Sequence, residues 1–182
     1  MQIIGGTLKG RRLIGPGSDD IRPTSARLRE TLFDVLMNDV RGANVLDGFA
    51  GTGAVGLEAI SRGAHTTTFV EDSAIALKLV SENIARCGAQ SDTNVIRGKL
   101  PEVFRNMGQV EFDLMFFDPP YGFDEIKIGD ILSASLHNLT DDGKIIVETT
   151  KRNAASEVND VEFVRRVKGG DSAFDFYVKK RA

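Results

Sequence analysis

From Asn44 to Glu148, apolar runs of strand length alternate with amphipathic stretches of helix length, and this alternation restricts the chain to a parallel sheet flanked by helices. A strand over 44–47 runs into a glycine-rich turn and a helix ending near Ser61. Strand 66–71 then precedes a helix over 74–87, and strand 95–96 a short helix over 101–107. The apolar run 112–117 is a fourth strand, followed by a helix over 126–136 and a fifth strand over 144–148. The tail departs from the pattern: 161–167 and 174–178 are strand-like and joined through Gly169-Gly170, which predicts a closing antiparallel hairpin. Ahead of the repeats, 2–14 reads as a hairpin broken by Gly5-Gly6 and Gly10. A helix follows from about Thr24, after Pro23, with Leu28, Leu32, Val35 and Leu36 on one face.

With 182 residues, 41% of them apolar, the chain has one domain's worth of core and no apolar run near the ~20 residues of a membrane span. No signal-peptide pattern opens the sequence, so a cytoplasmic location is expected. A single cysteine, Cys87, and two histidines, His65 and His137, provide neither a disulfide framework within the chain nor a Cys/His metal site of usual spacing. The net charge of −3 hides an asymmetry: segments 1–41, 42–150 and 151–182 carry +2, −8 and +3. Lys9, Arg11, Arg12, Arg22, Arg27 and Arg29 crowd the first segment beside an acidic body. This patch is either a solvated surface or a phosphate contact.

Two loops fall where parallel sheets bind ligands, at the carboxyl ends of strands. In Asp47-Gly48-Phe49-Ala50-Gly51-Thr52-Gly53-Ala54-Val55-Gly56 the glycines let a cofactor approach the backbone, and Glu71 at the end of the next strand suits ribose hydroxyls. Gly51, Gly53 and Gly56 also satisfy the dinucleotide pattern, so this loop alone does not separate NAD from S-adenosylmethionine. Asp47 favours the latter, since a carboxylate attracts its cationic α-amino group and repels a pyrophosphate; the same side chain also suits a turn cap.

The second loop, Asp118-Pro119-Pro120-Tyr121, ends the fourth strand. An exocyclic NH2 on a nucleobase is a poor nucleophile because its lone pair is delocalised into the ring. Acceptors on both N–H bonds favour the tetrahedral nitrogen that methylation requires. The Asp118 carboxylate and Pro119 carbonyl fit that task, Pro120 stiffens the turn, and Tyr121 suits stacking on an extruded base.

Together these loops resemble the amino-group branch of class I S-adenosylmethionine methyltransferases. The rest of the chain resembles the RsmD family of bacterial small-subunit ribosomal RNA guanine-N2 methyltransferases. The resemblance rests on Ile4-Gly5-Gly6 with Lys9-Gly10-Arg11, Arg22-Pro23-Thr24 with Arg27, Arg29-Glu30 and Phe33, Leu46-Asp47 through Glu58-Ala59, Ser61-Arg62-Gly63-Ala64, Phe69-Val70-Glu71 and Asp118-Pro119-Pro120-Tyr121. It implies an α/β, Rossmann-like class I fold. Its mostly parallel seven-stranded sheet would have helices on both faces, an antiparallel C-terminal hairpin, and an N-terminal β-hairpin plus helix extension. It further implies one methyltransferase domain over 1–182, with a basic RNA-contacting extension at 1–41 and a catalytic core at 42–182. The activity implied is methyl transfer to N2 of one 16S rRNA guanine by a monomer that needs no metal and acts on rRNA or the small ribosomal subunit.

The expected cofactor contacts are Asp47, Gly48, Phe49, Gly51, Gly53, Glu71, Asp72, Gly98, Lys99 and Asp118. The expected catalytic set is Asp118, Pro119, Pro120 and Tyr121, and the expected RNA contacts are Lys9, Arg11, Arg12, Arg22, Thr24, Arg27 and Arg29. Gly98-Lys99 is a departure, because such enzymes often carry an Asp or Asn there to contact the adenine amino group. Rival readings are a DNA adenine-N6 or protein-glutamine methyltransferase sharing the Asp-Pro-Pro-Tyr chemistry, a nicotinamide dehydrogenase, and a noncatalytic RNA-binding module. The dehydrogenase leaves the second loop without a role, and the binding module leaves both. Cys87 is read as a packing residue, His65 and His137 carry no assigned role, and Arg165, Arg166 and Lys168 are read as a solvated strand edge.

Overall fold

The computed structural model describes residues 1–16, 25–120, 125–150, 155–156 and 158–181. Strands β1 (Asn44–Gly48), β2 (Thr66–Glu71), β3 (Thr93–Arg97), β4 (Phe112–Phe117), β5 (Leu139–Thr150), β6 (Val161–Gly169) and β7 (Ser172–Lys179) form one sheet in the order β3-β2-β1-β4-β5-β7-β6. The first five run parallel, and β7 pairs antiparallel with both β5 and β6. This is the class I methyltransferase sheet that the resemblance implied, and the strand order reverses between β1 and β4.

Alternation along the strands builds two cores. Val45, Leu114, Phe116, Ile146, Phe174 and Phe176 face one side and meet helix α1 (Ala26–Leu36) through Leu28, Leu32, Phe33 and Leu36. On the same side α2 (Ala54–Ser61) and α3 (Ala74–Cys87) pack over Phe69. Leu46, Val70, Met115, Phe117, Ile145, Val147 and Tyr177 face the other side. They are covered by α4 (Glu125–Ser135), through Ile131 and Leu132, and by a 3-10 helix over Glu102–Asn106. Serines cap the helices where the sequence supplies them: Ser25 accepts from the Leu28 N–H of α1, and Ser73 from the Ala76 N–H of α3. Gly53, in the left-handed conformation, precedes α2 and has no side chain to cap it.

The amino-terminal hairpin stands apart from the sheet. It consists of a single Gln2–Arg12 bridge with bonds from Ile3 N–H to Arg11 O, Gly10 N–H to Ile3 O and Leu13 N–H to Met1 O. Ile3 and Leu13 close a core formed with α2 and α3. The hairpin lies along α2, with its open end beside Thr52 and its turn beside Ser61, so that it spans the helix's eight residues or about 12 Å. At Gly6 the fit is tight enough that a Cβ would sit 1.8 Å from the Ser61 carbonyl oxygen, and φ is +74°. No other residue fits there.

Candidate active site and substrate face

Strand register sets the site. Gly48 lies opposite Val70 of β2 on one side and Phe117 of β4 on the other, and Glu71 lies opposite Arg97 of β3. Gly98, Glu71, Phe49 and Asp118 therefore follow one another across four adjacent strand ends, at the edge where the strand order reverses. With strands ~4.8 Å apart, Glu71 and Asp118 are separated by two strand spacings, or roughly 10 Å, which suits a nucleoside cofactor with the reacting amine at its far end.

Asp47 is buried, and its Oδ2 accepts the Gly56 N–H at 2.8 Å. A strand carboxylate thus satisfies one of the free donors at the start of α2, the role that Gly53 cannot fill. Burial pushes the Asp47 carboxyl up to about 8; the Gly56 bond opposes the shift, while Asp118 and Glu71 add to it. The raised value also gives a sign for stability. Because the folded state favours the neutral form, this group's contribution is complete below the ordinary carboxylate range and is lost as pH rises through about 8. Asp47→Asn stays neutral throughout, so the ligand-free variant should gain several degrees in Tm relative to wild type between pH 5 and 9, measured by thermal unfolding across that range. A pH-independent difference would count against it.

Glu71 is held by the backbone. Its Oε2 accepts the Gly51 N–H at 2.9 Å, and its Oε1 accepts the Asp72 and Ser73 N–H groups at 2.9 and 3.0 Å. Three of a carboxylate's roughly four acceptor sites are filled, which leaves room for one ribose hydroxyl rather than two. Asp72 lies 3.8 Å from Lys99 Nζ, an exposed pair of little energetic weight. Gly98 donates its N–H to the Glu71 carbonyl, and a Cβ there would meet Val103 Cγ2 at 2.4 Å. The missing Asp or Asn at this position is therefore tied to the close approach of the 3-10 helix. Gly56, third in the dinucleotide-like pattern, serves packing as well: a Cβ would lie 2.4 Å from the Phe69 ring. Gly51 and Gly53 take φ of +56° and +74°, and Phe49 takes +62°, a strained value for a side chain in this loop.

Asp118 and Pro119 are half-buried and Pro120 is exposed, while Tyr121 lies outside the described residues, as do Arg22 and Thr24. Of the expected RNA contacts, Lys9, Arg11, Arg12 and Arg27 are exposed on the hairpin and α1. Arg29 is a correction. It is 1% exposed on the apolar face of α1, beside Leu28, Leu32 and Phe33, and its Nη2 donates to the Gln2 carbonyl at 2.9 Å. It fastens the hairpin to α1 and does not reach RNA.

The residues that sequence reading left without a role are those that fasten the hairpin. Glu58, fully buried, accepts the Ile4 and Gly5 N–H groups at 2.8 and 2.7 Å and Arg62 Nε at 2.9 Å. The Arg62 guanidinium lies 5.0 Å over the Phe33 ring. Ser61 accepts the Leu8 N–H and donates to the Gly5 carbonyl. Asn83 joins Ile14 to Thr52. A signal for Asn83 was present in the sequence, since it interrupts the apolar stripe of Val80, Ile84 and Cys87. Among the described residues no helix is long and apolar enough to cross a membrane, and no His/Cys/Asp/Glu group is arranged to hold a metal.

Comparison with known proteins adds the context for this geometry. The ribosomal RNA small subunit methyltransferase D of Haemophilus influenzae is 33% identical over 153 residues, covering 83% of this chain and 79% of the relative. That of Escherichia coli K12 is 39% identical over 122 residues, or 66% of this chain and 60% of the relative. A solved structure of a hypothetical protein from Thermus thermophilus superposes with a TM-score of 0.83 at 31% identity, over 99% of each chain. The model of the family described as conserved hypothetical protein 95 matches residues 1–178, from the fastened hairpin through both strand-end loops to β7. The chain belongs to that family, the RsmD family.

Proposed function

We propose that this chain transfers the methyl group of S-adenosylmethionine to the exocyclic N2 amine of a guanine in small-subunit ribosomal RNA. The observation that carries the reading is the alignment of Gly98, Glu71, Phe49 and Asp118 across four neighbouring strand ends. That spacing, roughly 10 Å from Glu71 to Asp118, supports a nucleoside cofactor bound beside the Asp-Pro-Pro turn. The donor set fits the cofactor: a cationic amino group beside Asp47 would draw its buried carboxyl into the ionised form, and Glu71 retains an acceptor site for a ribose hydroxyl. S-adenosylmethionine, when bound, supplies an electrophilic methyl group on a sulfonium.

The chain's own residues do the rest. Asp118 Oδ and the Pro119 carbonyl accept the two N–H bonds of the guanine amine and turn its lone pair out of the ring plane. The Asp118 carboxylate would take the proton that the amine gives up when its nitrogen gains the methyl group, the S–C bond of the sulfonium breaking with its electron pair left on sulfur. Tyr121 takes the stacking role for a flipped base. The dehydrogenase reading is disfavoured because it leaves the Asp118-Pro119-Pro120 turn at the fourth strand end without a role; the packing of Gly56 against Phe69 is common to both readings. In this reading the chain works as a cytoplasmic monomer on rRNA or the small subunit, with Lys9, Arg11, Arg12, Arg22, Thr24 and Arg27 toward RNA.

Incubation of the purified chain with S-adenosylmethionine and unmodified small-subunit rRNA, followed by nuclease digestion and mass spectrometry, tests this. N2-methylguanosine is expected; N6-methyladenosine, or transfer to glutamine in a protein, would keep the mechanism and replace the substrate. The substrate face has its own check. Arg11→Ala with Arg12→Ala should weaken RNA binding and flatten its salt dependence by ~0.7 to 0.9 for each phosphate no longer neutralised, without changing cofactor affinity. An unchanged slope returns both arginines to a solvated surface.

A further inference from the structure

Asn83 is fully buried on α3 and bonds in two directions. Its Oδ1 accepts the Ile14 N–H at 2.7 Å, and its Nδ2 donates to the Ile14 carbonyl at 3.0 Å and to the Thr52 carbonyl at 2.9 Å. Ile14 ends the hairpin strand that carries Arg11 and Arg12. Thr52 lies between Gly51, whose N–H holds Glu71, and Gly53, which starts α2. One amide therefore spans from the basic hairpin to the glycine loop, and both donors of its NH2 group are used.

We propose that Asn83 is a positioning residue through which occupancy of the glycine loop and binding of RNA on the hairpin favour one another. This rests on the reading above of the loop as the cofactor site and the hairpin as the RNA face. A ligand that orders Gly51–Gly53 fixes the Thr52 carbonyl, and with it the Asn83 amide and the return strand of the hairpin. RNA held at Arg11 and Arg12 restrains the same amide from the other end. The coupling is reciprocal by thermodynamic necessity, and it runs through a contiguous chain of hydrogen bonds.

The test uses S-adenosylhomocysteine as probe on the full chain. In wild type the probe should slow amide hydrogen exchange at Leu13 and Ile14 as well as in the loop, and should tighten RNA binding by at least about fivefold. In Asn83→Ala the loop protection should persist while the hairpin protection disappears, and the ratio of RNA affinities with and without probe should fall to about one. Ile14→Pro removes the N–H donor without touching Asn83 or Thr52 and should lower that ratio too, so the proposal stays testable if Asn83→Ala does not fold. A wild-type ratio of one, or an unchanged ratio in these variants, overturns it. Absence of a calorimetric signal for the probe would instead bring down the cofactor assignment, and the coupling with it.

Discussion

Asp118→Ala should lower single-turnover methyl transfer by about 100-fold, on the order of 3 kcal/mol, which is what removal of an oriented acceptor costs in a reaction governed by electrostatic positioning. Cofactor affinity should hold or tighten slightly. Asp118 is among the charges that raise the Asp47 carboxyl, so its removal leaves more Asp47 ionised for a cationic group. Asp118→Asn keeps one carbonyl acceptor and should lose less. The check is a pair of measurements, chemical-step rate and S-adenosylhomocysteine titration, on both variants. Full activity in Asp118→Ala would remove Asp118 from the mechanism.

The largest effect on stability is expected at Glu58. Truncation to Ala strands the Ile4 and Gly5 N–H groups and the Arg62 guanidinium under the hairpin, and breaking a buried charge network of this kind costs ~3 to 5 kcal/mol. For a chain of this size that corresponds to a fall in Tm of ~10 °C or more, read by calorimetry. Glu58→Gln retains one acceptor and should fall by less. A loss confined to ~1 kcal/mol would mean that the hairpin relaxes to solvate these groups.

The contrast between Glu58 and the two loops shows what a sequence discloses. The bounds of β2, α3 and β4 follow from periodicity because their apolar faces are buried by neighbours on each side. β5 begins at Leu139, five residues ahead of expectation. Its first residue, Leu139, is buried and pairs with Phe112, but the polar run 140–143 that follows, at a register shift in the pairing with β4, hides the strand from an apolar pattern. Arg29 looked like the other early arginines, although its spacing from Leu32, Phe33 and Leu36 already put it on the buried face of α1. Arg166, read as solvated, donates twice to the buried Asp175 at 2.6 Å across β6 and β7. The glycine loop reads as a ligand site, yet Gly56 and Gly98 are explained by the Phe69 ring and Val103, contacts that depend on the assembled layers. Glu58 and Asn83 hold segments 53 and 69 residues away, and no local pattern encodes such a distance.

The position of Met1 has a practical consequence for handling this protein. Its carbonyl is pinned by Leu13, and its sulfur lies 4.0 Å from Thr52 Oγ1, at the rim of the glycine loop. β7 runs antiparallel to β5, so residues 179–181 emerge at the opposite end of the sheet. An affinity tag fused to Met1 would crowd the loop and distort titrations of small ligands. The same tag placed after residue 181 would stand a full strand length away from it.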